Sequence, residues 1–581
     1  MIISRYRYKS DTLPQKCKYT VNVRYKAMRI VLFLAIIAFQ EAIGFKKPNI
    51  ILIIGDDEGW NDFGFHGSNQ IPTPNIDALA YNGIILDKFY TQQTCTPSRA
   101  ALLTGVYPFR FGFQGKPINP GENRSLPLDT PTMAEQLKKL GYSMHLVGKW
   151  HLGAAYKHVT PTRRGFDSHF GYWAGFVGYF DYMASTELTN TTNYTGLDLH
   201  DNFEPQWQYQ GQYATDLFTE KSLDIIDKHN ADKPLFLLLA HLAAHTGKDG
   251  IEIGVPNITE AHEKYKYIDR KERRQYAEVV KKMDDSVGEV VQKLSHRKML
   301  ENSIIIFFSD NGAQTEGMFQ NFGSAWPFRG LKFTLLEGGV RGTCVAYSPL
   351  FEKRGYINKE LMHITDWLPT LYHAAGGNVS DLGNIDGINQ WEVLSRNAST
   401  SRSEILLNID EVDDYSGLLS CNGRYKLING THKDGIYDWY YGDSGRNGNE
   451  PEYDIQAVLN SPTNIAIQKL NSNTHIDQEI IRRTREEVDR SWCRDKNDTP
   501  KISCQDFCLF DLDHDPCETK NLIDDPNKRS IVVALKNKLA EYYEVLTPQL
   551  TKQVDINSDP SRCNNTWYTW LDYGANWFKN L

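Results

Sequence analysis

PNIILIIGDD, residues Pro48 to Asp57, decides how the rest of the chain is read. Its apolar, mostly β-branched run has no polar position on either side, so neither face of a strand built from it can be wet. It therefore reads as a central strand buried on both faces, with Asp56 and Asp57 at its C-terminal mouth. Adjacent residues on a straight strand face opposite ways, but a backbone turn at the mouth lets the two carboxylates converge.

Working outward, the same pattern returns. SIIIFFSDNG (Ser303 to Gly312) ends in Asp310 and Asn311, PLFLLLAHLAAH (Pro234 to His245) closes on His245, and GYSMHLVGKWHLG (Gly141 to Gly153) runs into Lys149 and His151. Helical stretches separate them: NIDALAYNG, stopped by Gly83; Tyr213 to His229; and a long helix from about Lys264 to Leu294, with Tyr276, Val280, Met283, Val287, Val291 and Leu294 at three- and four-residue steps. Strands alternating with helices predict an α/β fold, a mostly parallel sheet with helices on both faces. After about Thr400 the rhythm changes. EILLNID and RYKLING read as short strands, and the span from Tyr437 to Thr474 is turn-rich. CLFDLDHDP and a helix near Val532 to Leu546 complete a smaller α+β domain, followed by the aromatic tail NNTWYTWLDYGANWF. The expected organisation is an N-terminal extension and signal peptide over 1–44, a catalytic domain over 45–400 and the smaller domain with its tail over 401–581.

The 581 residues are 40% hydrophobic with a formal charge of -8, and acids and bases are interspersed. No basic block marks a nucleic-acid partner. Arg29 precedes the apolar run Ile30 to Phe39, which is short for a membrane span; small Ala42 and Gly44 follow. This reads as a secretory signal peptide cleaved near Gly44, with a signal anchor as the rival and Met28 as an alternative start. The expected destination is the lysosome or the exterior. Secretory entry gives meaning to the N-x-S/T sites at Asn123, Asn190, Asn193, Asn257, Asn378, Asn397, Asn429, Asn497 and Asn564. It also makes disulfides expected. With Cys95 set aside, Cys344, Cys421, Cys493, Cys504, Cys508, Cys517 and Cys563 are odd in number, so one stays unpaired. Cys344, in an apolar strand-like segment, reads as a buried free thiol. The others admit many pairings, and the expected one is Cys508 with Cys517.

Asp56, Asp57, Asp310 and Asn311 are hard oxygen donors from two strand mouths, a set suited to Ca²⁺ or Mg²⁺, at the edge where open sheets bind ligands. QQTCTPSRAALLTGVYPFR (Gln92 to Arg110) adds Cys95 at the start of a helix in which Pro97 is expected at the first position. Free N–H groups there favour an anion and activate a thiolate, and Arg99 lies one turn in. Lys149 and His151, spaced to share a strand face, join His245 and Lys332 (in FRGLKFTLLEGG) as further cations. Together these residues describe a metal-plus-cation pocket for a phosphate or sulfate ester.

CTPSR within Gln92 to Arg110, GYSMHLVGKWHLG, PNIILIIGDDEGWNDFGFHG, FSDNG, WPFRGLKFTLLEGGVRG and LFDLDHDP together resemble the segments of the sulfatase family, in order, over about Phe45 to Leu546. KWHLG, WPFRGLKFTLLEGG and TPTRRGFDSHFGYWAG look closest to its arylsulfatase B, or N-acetylgalactosamine-4-sulfatase, branch. The resemblance implies an alkaline-phosphatase-like fold. It implies that a formylglycine-generating enzyme oxidises Cys95 to formylglycine, recognising Pro97 and Arg99. The hydrated aldehyde would attack sulfur and then expel sulfate. One Ca²⁺ is implied, held by Asp56, Asp57, Asp310 and Asn311 and touched by the residue made from Cys95. Arg99 and Lys149 would stabilise the attacking group, His151 would take a proton, and His245 and Lys332 would bind sulfate and assist the leaving oxygen. The substrate implied is N-acetylgalactosamine 4-sulfate in a glycosaminoglycan; other sugar or small-molecule sulfates, a phosphate or phosphonate monoester, and a non-catalytic glycan-binding role are the alternatives. AHLAAHTG departs from the family, where a proline often follows soon after the histidine.

Overall fold

The computed structural model describes residues 46–572 except 190–191, 251, 447, 471–474 and 495–501. The signal peptide, Met28, Asn190, Asn497 and the tail from Tyr573 onward lie outside the described residues. From Pro48 on, the chain forms one compact unit. No helix among the described residues is long and apolar enough to cross a membrane.

We label four strands, β1 (Asn49–Gly55), β2 (Ser143–Lys149), β3 (Leu235–Ala240) and β4 (Ser303–Ser309), and two helices, α1 (Cys95–Thr104) and α2 (Lys271–His296). The main sheet has ten strands, and β4, β1, β3 and β2 lie side by side at its centre, all parallel. Ser168–Tyr172 extends the parallel set beyond β2, while Cys344–Tyr347 pairs antiparallel with β4. The fold is thus the expected α/β arrangement. Strand β1 is buried at every position, and its side chains divide between two cores. Ile51 and Ile53 pack in one layer with Tyr276, Val280 and Met283 of α2; Ile50, Leu52 and Ile54 pack in the other with Leu102 and Leu103 of α1. That division explains the unbroken apolar run. Gly55 sits beside Ser309, and Ala240 beside both Ile54 and Gly148. Residues just past these strand ends therefore meet at one edge.

The second sheet is antiparallel: Ile405–Asp410, Tyr415–Ser420, Tyr425–Asn429 and Cys508–Asp511. Helix Arg529–Glu544 lies against it through Val532, Leu535 and Leu539. Buried Lys426 of this sheet reaches Glu337 at 2.6 Å and Glu518 at 2.8 Å. Glu337 in turn accepts from Tyr90 and Arg341, which belong to the main body.

Three expectations need correction. The long helix begins only at Lys271, after a separate helix Ile258–Lys264. Tyr265 and Ile268 in the intervening turn are buried, so the apolar spacing runs on across the break. The disulfides are Cys493–Cys517 and Cys504–Cys508. Cys508 opens a strand, and the chain returns opposite it with Asn521 and Leu522, which leaves Cys517 at the far end of the turn. Helix α1 starts at Cys95 itself, ahead of Pro97. Cys344 is buried and free, as expected; Cys421 and Cys563 are free as well.

Lys426 makes a stability prediction. Removing one partner from a buried ionic cluster costs about 3–5 kcal/mol, because the partner charges stay buried and uncompensated. Lys426→Ala should lower the unfolding free energy of the purified protein, read from its urea transition, by an amount in that range, and its urea midpoint with it. A midpoint within error of the parent would mean the cluster is not a stability determinant.

Candidate active site

Asp56 and Asp57 lie just past β1, Asp310 and Asn311 just past β4, His245 beyond β3, and Lys149 and His151 at and beyond the end of β2. Arg99 is on α1, and Lys332 comes from a loop that follows β4. All are buried. Asp57 adopts a left-handed backbone (φ 62°), strained for a non-glycine residue, and this kink turns neighbouring carboxylates toward one pocket. Asn321 holds the kink: its amide donates to the Asp57 carbonyl at 2.7 Å and to the Ala244 carbonyl at 3.1 Å.

The charges interlock. Lys149 Nζ lies 2.5 Å from Asp56 Oδ2. Lys332 Nζ donates to Asp57 at 2.7 Å, and the Asn311 amide donates to Asp57 Oδ1 at 2.6 Å. Arg99 Nε donates to Asp310 Oδ2 at 3.0 Å, Nη2 lies 2.9 Å from the same oxygen, and Nη2 is 3.6 Å from Asp56 Oδ2. His245 Nε2 lies 3.4 Å from Asp57 Oδ2, while its Nδ1–H donates to the Thr246 carbonyl at 2.7 Å. Phe176 stacks on its ring at 4.9 Å.

Cys95 occupies the first position of α1. Burial pushes its thiol up from the usual range, with Lys149 and Lys332 pulling the other way. Desolvation therefore opposes the activation that the helix start and the cations would give an unmodified thiolate. His151 has a left-handed backbone (φ 60°). Burial, then Lys149, holds its imidazole neutral, well below its usual pKa. Its Nε2–H donates to the Ile118 carbonyl at 2.9 Å, leaving the Nδ1 lone pair without a partner.

Asp56, Asp57 and His245 place ligand atoms within 4.8 Å of one another. Asp56 Oδ1 and Asn311 Oδ1 are buried acceptors with no donor. Unsatisfied buried oxygens are costly, and hard oxygens of carboxylate and carbonyl type suit a calcium-like cation. The donor set fits such an ion.

Sequence reading missed two residues that shape this pocket, Asn321 and Glu58. Asn321 stands alone in a glycine-flanked loop, where no spacing marks it. Glu58 is buried with both carboxylate oxygens unpartnered. Burial, then Asp62, raises its pKa well above the usual carboxylate range. Its carboxyl group lies where a Cβ on Gly55 would sit, at 1.9 Å, which accounts for the glycine at the strand end.

The Sulfatase family matches residues 48–377, the segment carrying every one of these side chains. The chain belongs to the sulfatase family. Mouse arylsulfatase J is 39% identical over 371 residues, 64% of this chain and 59% of that protein. Human N-acetylgalactosamine-6-sulfatase is 30% identical over 358 residues, 60% of this chain and 66% of that protein. The chain thus spans about three fifths of the length of arylsulfatase J. In fold, it resembles Ps i-CgsB in complex with k-i-k-neocarrahexaose (TM-score 0.66, 23% identity, 88% of this chain and 96% of that one) and the PsFucS1 sulfatase from Pseudoalteromonas sp. (TM-score 0.61, 23% identity, 89% and 94%). These support the alkaline-phosphatase-like sulfatase architecture. The expected likeness to arylsulfatase B is corrected: the relatives found include arylsulfatase J and N-acetylgalactosamine-6-sulfatases. KWHLG and WPFRGLKFTLLEGG, which suggested otherwise, carry Lys149, His151 and Lys332, so they track the charged pocket and not the outer groove.

Arg99 touches both Asp310 and Asp56 with one planar head group, a role a lysine's point charge does not reproduce. Relative to the parent chain, Arg99→Lys should lower kcat/KM for 4-nitrophenyl sulfate by about 10- to 100-fold with an unchanged melting profile. Wild-type turnover in that variant would show that charge alone suffices.

Proposed function

We propose that the chain is a calcium-dependent formylglycine sulfatase that hydrolyses sulfate esters of sugars. The observation that carries this reading is Cys95 at the start of α1, among Arg99, Lys149 and Lys332, beside the two partnerless acceptors Asp56 Oδ1 and Asn311 Oδ1. Asp56, Asp57, Asp310 and Asn311 would hold the cation. Bound Ca²⁺ supplies positive charge for a sulfate oxygen, and formylglycine at Cys95 supplies an oxygen nucleophile with a built-in route for sulfate release.

The chain's own residues have separate tasks. Arg99 and Lys149 keep the nucleophile's surroundings positive where charge concentrates in transfer. His151, neutral and tethered through Nε2, offers Nδ1 as a proton acceptor. Lys332 faces the ester as a donor. His245 donates from Nε2 only when protonated, which burial opposes and Asp57 favours. The buried carboxylates Asp56, Asp57 and Asp310 face the buried cations Arg99, Lys149 and Lys332, so an added dication brings net positive charge that an anionic ester compensates.

The sugar we propose is a sulfated N-acetylgalactosamine of a glycosaminoglycan. KWHLG and WPFRGLKFTLLEGG belong to the charged pocket and do not choose the ester position; the 6-ester is the one in the name of the relative at 30% identity. The supporting route is secretory, to the lysosome or the exterior, where a formylglycine-generating enzyme meets the chain. The two disulfides agree with that route.

Protein from a secretory host should yield a Cys95 peptide about 18 Da lighter than the free thiol, or its hydrate. Cys95→Ala should abolish turnover and keep the fold. Fully active enzyme with an intact thiol would sink the mechanism. Chelation should remove activity and Ca²⁺ restore it, with ligands at about 2.3–2.6 Å in a crystal structure; activity in metal-free protein would overturn the cation's role. A panel of 4- and 6-sulfated N-acetylgalactosamine, glucosamine sulfates, nitrophenyl sulfate and nitrophenyl phosphate decides the ester. If neither galactosamine ester is cleaved while another sugar sulfate is, the sugar assignment falls. A phosphate preference would remove the sulfatase reading itself.

A further inference from the structure

Exposed lysines are ordinarily solvated and carry no meaning. Lys116 and Lys433 differ in where the fold places them. Segment 114–118 is tied at both ends to the turn that holds Cys95: the Gln93 side chain donates to the Gln114 carbonyl at 2.9 Å, and the Ile118 N–H donates to Thr96 Oγ1 at 3.1 Å. Exposed Lys116 is the midpoint of this span. On another side, Phe333 N–H donates to the Gln93 carbonyl at 2.9 Å. The Phe333 ring lies 5.9 Å from Lys332 Nζ and stacks on His432 at 5.1 Å and 12°. Exposed Lys433 follows His432 in a turn whose Lys433, Asp434 and Gly435 all have left-handed backbones (φ 46°, 56° and 77°). A continuous path thus runs from Lys332 in the pocket, over Phe333 and His432, to Lys433 at the surface.

We propose that Lys116 and Lys433 form an anion subsite on the rim of the Cys95 pocket, which takes a second anionic group of the substrate, a carboxylate or a further sulfate on the neighbouring sugar.

The electrostatics agree. Burial depresses the His432 imidazole, Asp413 opposes at 3.3 Å, and Lys433 and Lys116 both add to the depression. Both ammonium groups therefore act on one ring. Asp413 Oδ2 lies 3.3 Å from His432 Nδ1, and neither lysine has a carboxylate within salt-bridge distance among the described residues. His432, 5% exposed, serves as the anchor that fixes Lys433 against Phe333. This inference rests on the sulfatase reading and narrows its substrate to polyanionic saccharides.

The test uses the full chain from a secretory host, as wild type, as a Lys116→Ala/Lys433→Ala double variant and as a Lys116→Arg/Lys433→Arg double variant. The probes are 4-nitrophenyl sulfate, a uronate-containing sulfated N-acetylgalactosamine disaccharide, and the same disaccharide with its carboxylate reduced to the alcohol. We expect the alanine variant to raise KM for the uronate disaccharide about 5- to 20-fold, and to change the other two substrates by less than about 2-fold. The arginine variant should behave as wild type, and added salt should erase the wild-type preference. Equal losses on all three substrates, no loss on the uronate disaccharide, or wild-type enzyme indifferent to the carboxylate would each overturn the subsite while sulfate ester hydrolysis stands. Wild-type enzyme that cleaves nitrophenyl sulfate and neither disaccharide also overturns it. If no sulfate ester is cleaved, the functional reading fails first and the subsite with it.

Discussion

Three carboxylates, those of Asp56, Asp57 and Asp310, are taken out of water at the ends of two neighbouring parallel strands. Desolvating such charges costs several kcal/mol each unless they are paired. Here the pairing groups come from separate parts of the chain: Arg99 from α1, Lys149 from the end of β2, and Lys332 from a loop. Pairing all three acids therefore draws on strand, helix and loop together, which ties the pocket to the packing of the sheet. The same compensation leaves Asp56 Oδ1 and Asn311 Oδ1 as buried acceptors without a donor, the kind of oxygen that suits a hard cation.

The central strands and the pocket were legible because one pattern recurs. An apolar run buried on both faces ends in polar residues, and parallel strands deliver those residues to one edge. Asp56, Asp57, Lys149, His151, His245, Asp310 and Asn311 were all visible in this way, and helix α1 could be read from the run after Cys95. The helix break at Tyr265–Arg270 was invisible, because Tyr265 and Ile268 keep the apolar spacing while the backbone turns. Disulfide partners were invisible because strand length, not sequence separation, decides which residues come back into register. The acidity of an unmodified Cys95 could not be read from sequence, because a helix N-terminus argues for an anion while burial pushes the thiol up. Closer kinship within the family was misread for a related reason: KWHLG and WPFRGLKFTLLEGG carry pocket residues, and only TPTRRGFDSHFGYWAG lies outside them.

Lys332 shows why the second sheet matters to a site built on the first. Its loop is clamped from the C-terminal side. Arg329 donates to the carbonyls of Asp438, Ile502 and Glu518 at 3.0, 2.8 and 2.8 Å. Gly330 N–H donates to the Trp439 carbonyl at 2.7 Å. Lys426, buried beneath, joins Glu337 to Glu518. A buried arginine and a buried lysine are thus used as struts, and what they position is a short backbone segment carrying one catalytic-pocket cation.

The same clamp reaches outward. Phe333 follows Lys332 with φ 78°, a conformation costly for an aromatic residue. It is held from both sides, by its N–H on Gln93 and by His432 stacked on its ring. Strain of this kind persists only where the surroundings over-determine it. The over-determination comes from the Cys95 turn on one side and the second sheet on the other. The position of the second sheet relative to Cys95 is consequently fixed through two adjacent residues, one facing the charged pocket and one facing its rim. A loop from the C-terminal sheet can then present a side chain to a substrate without loosening the geometry of the buried charges.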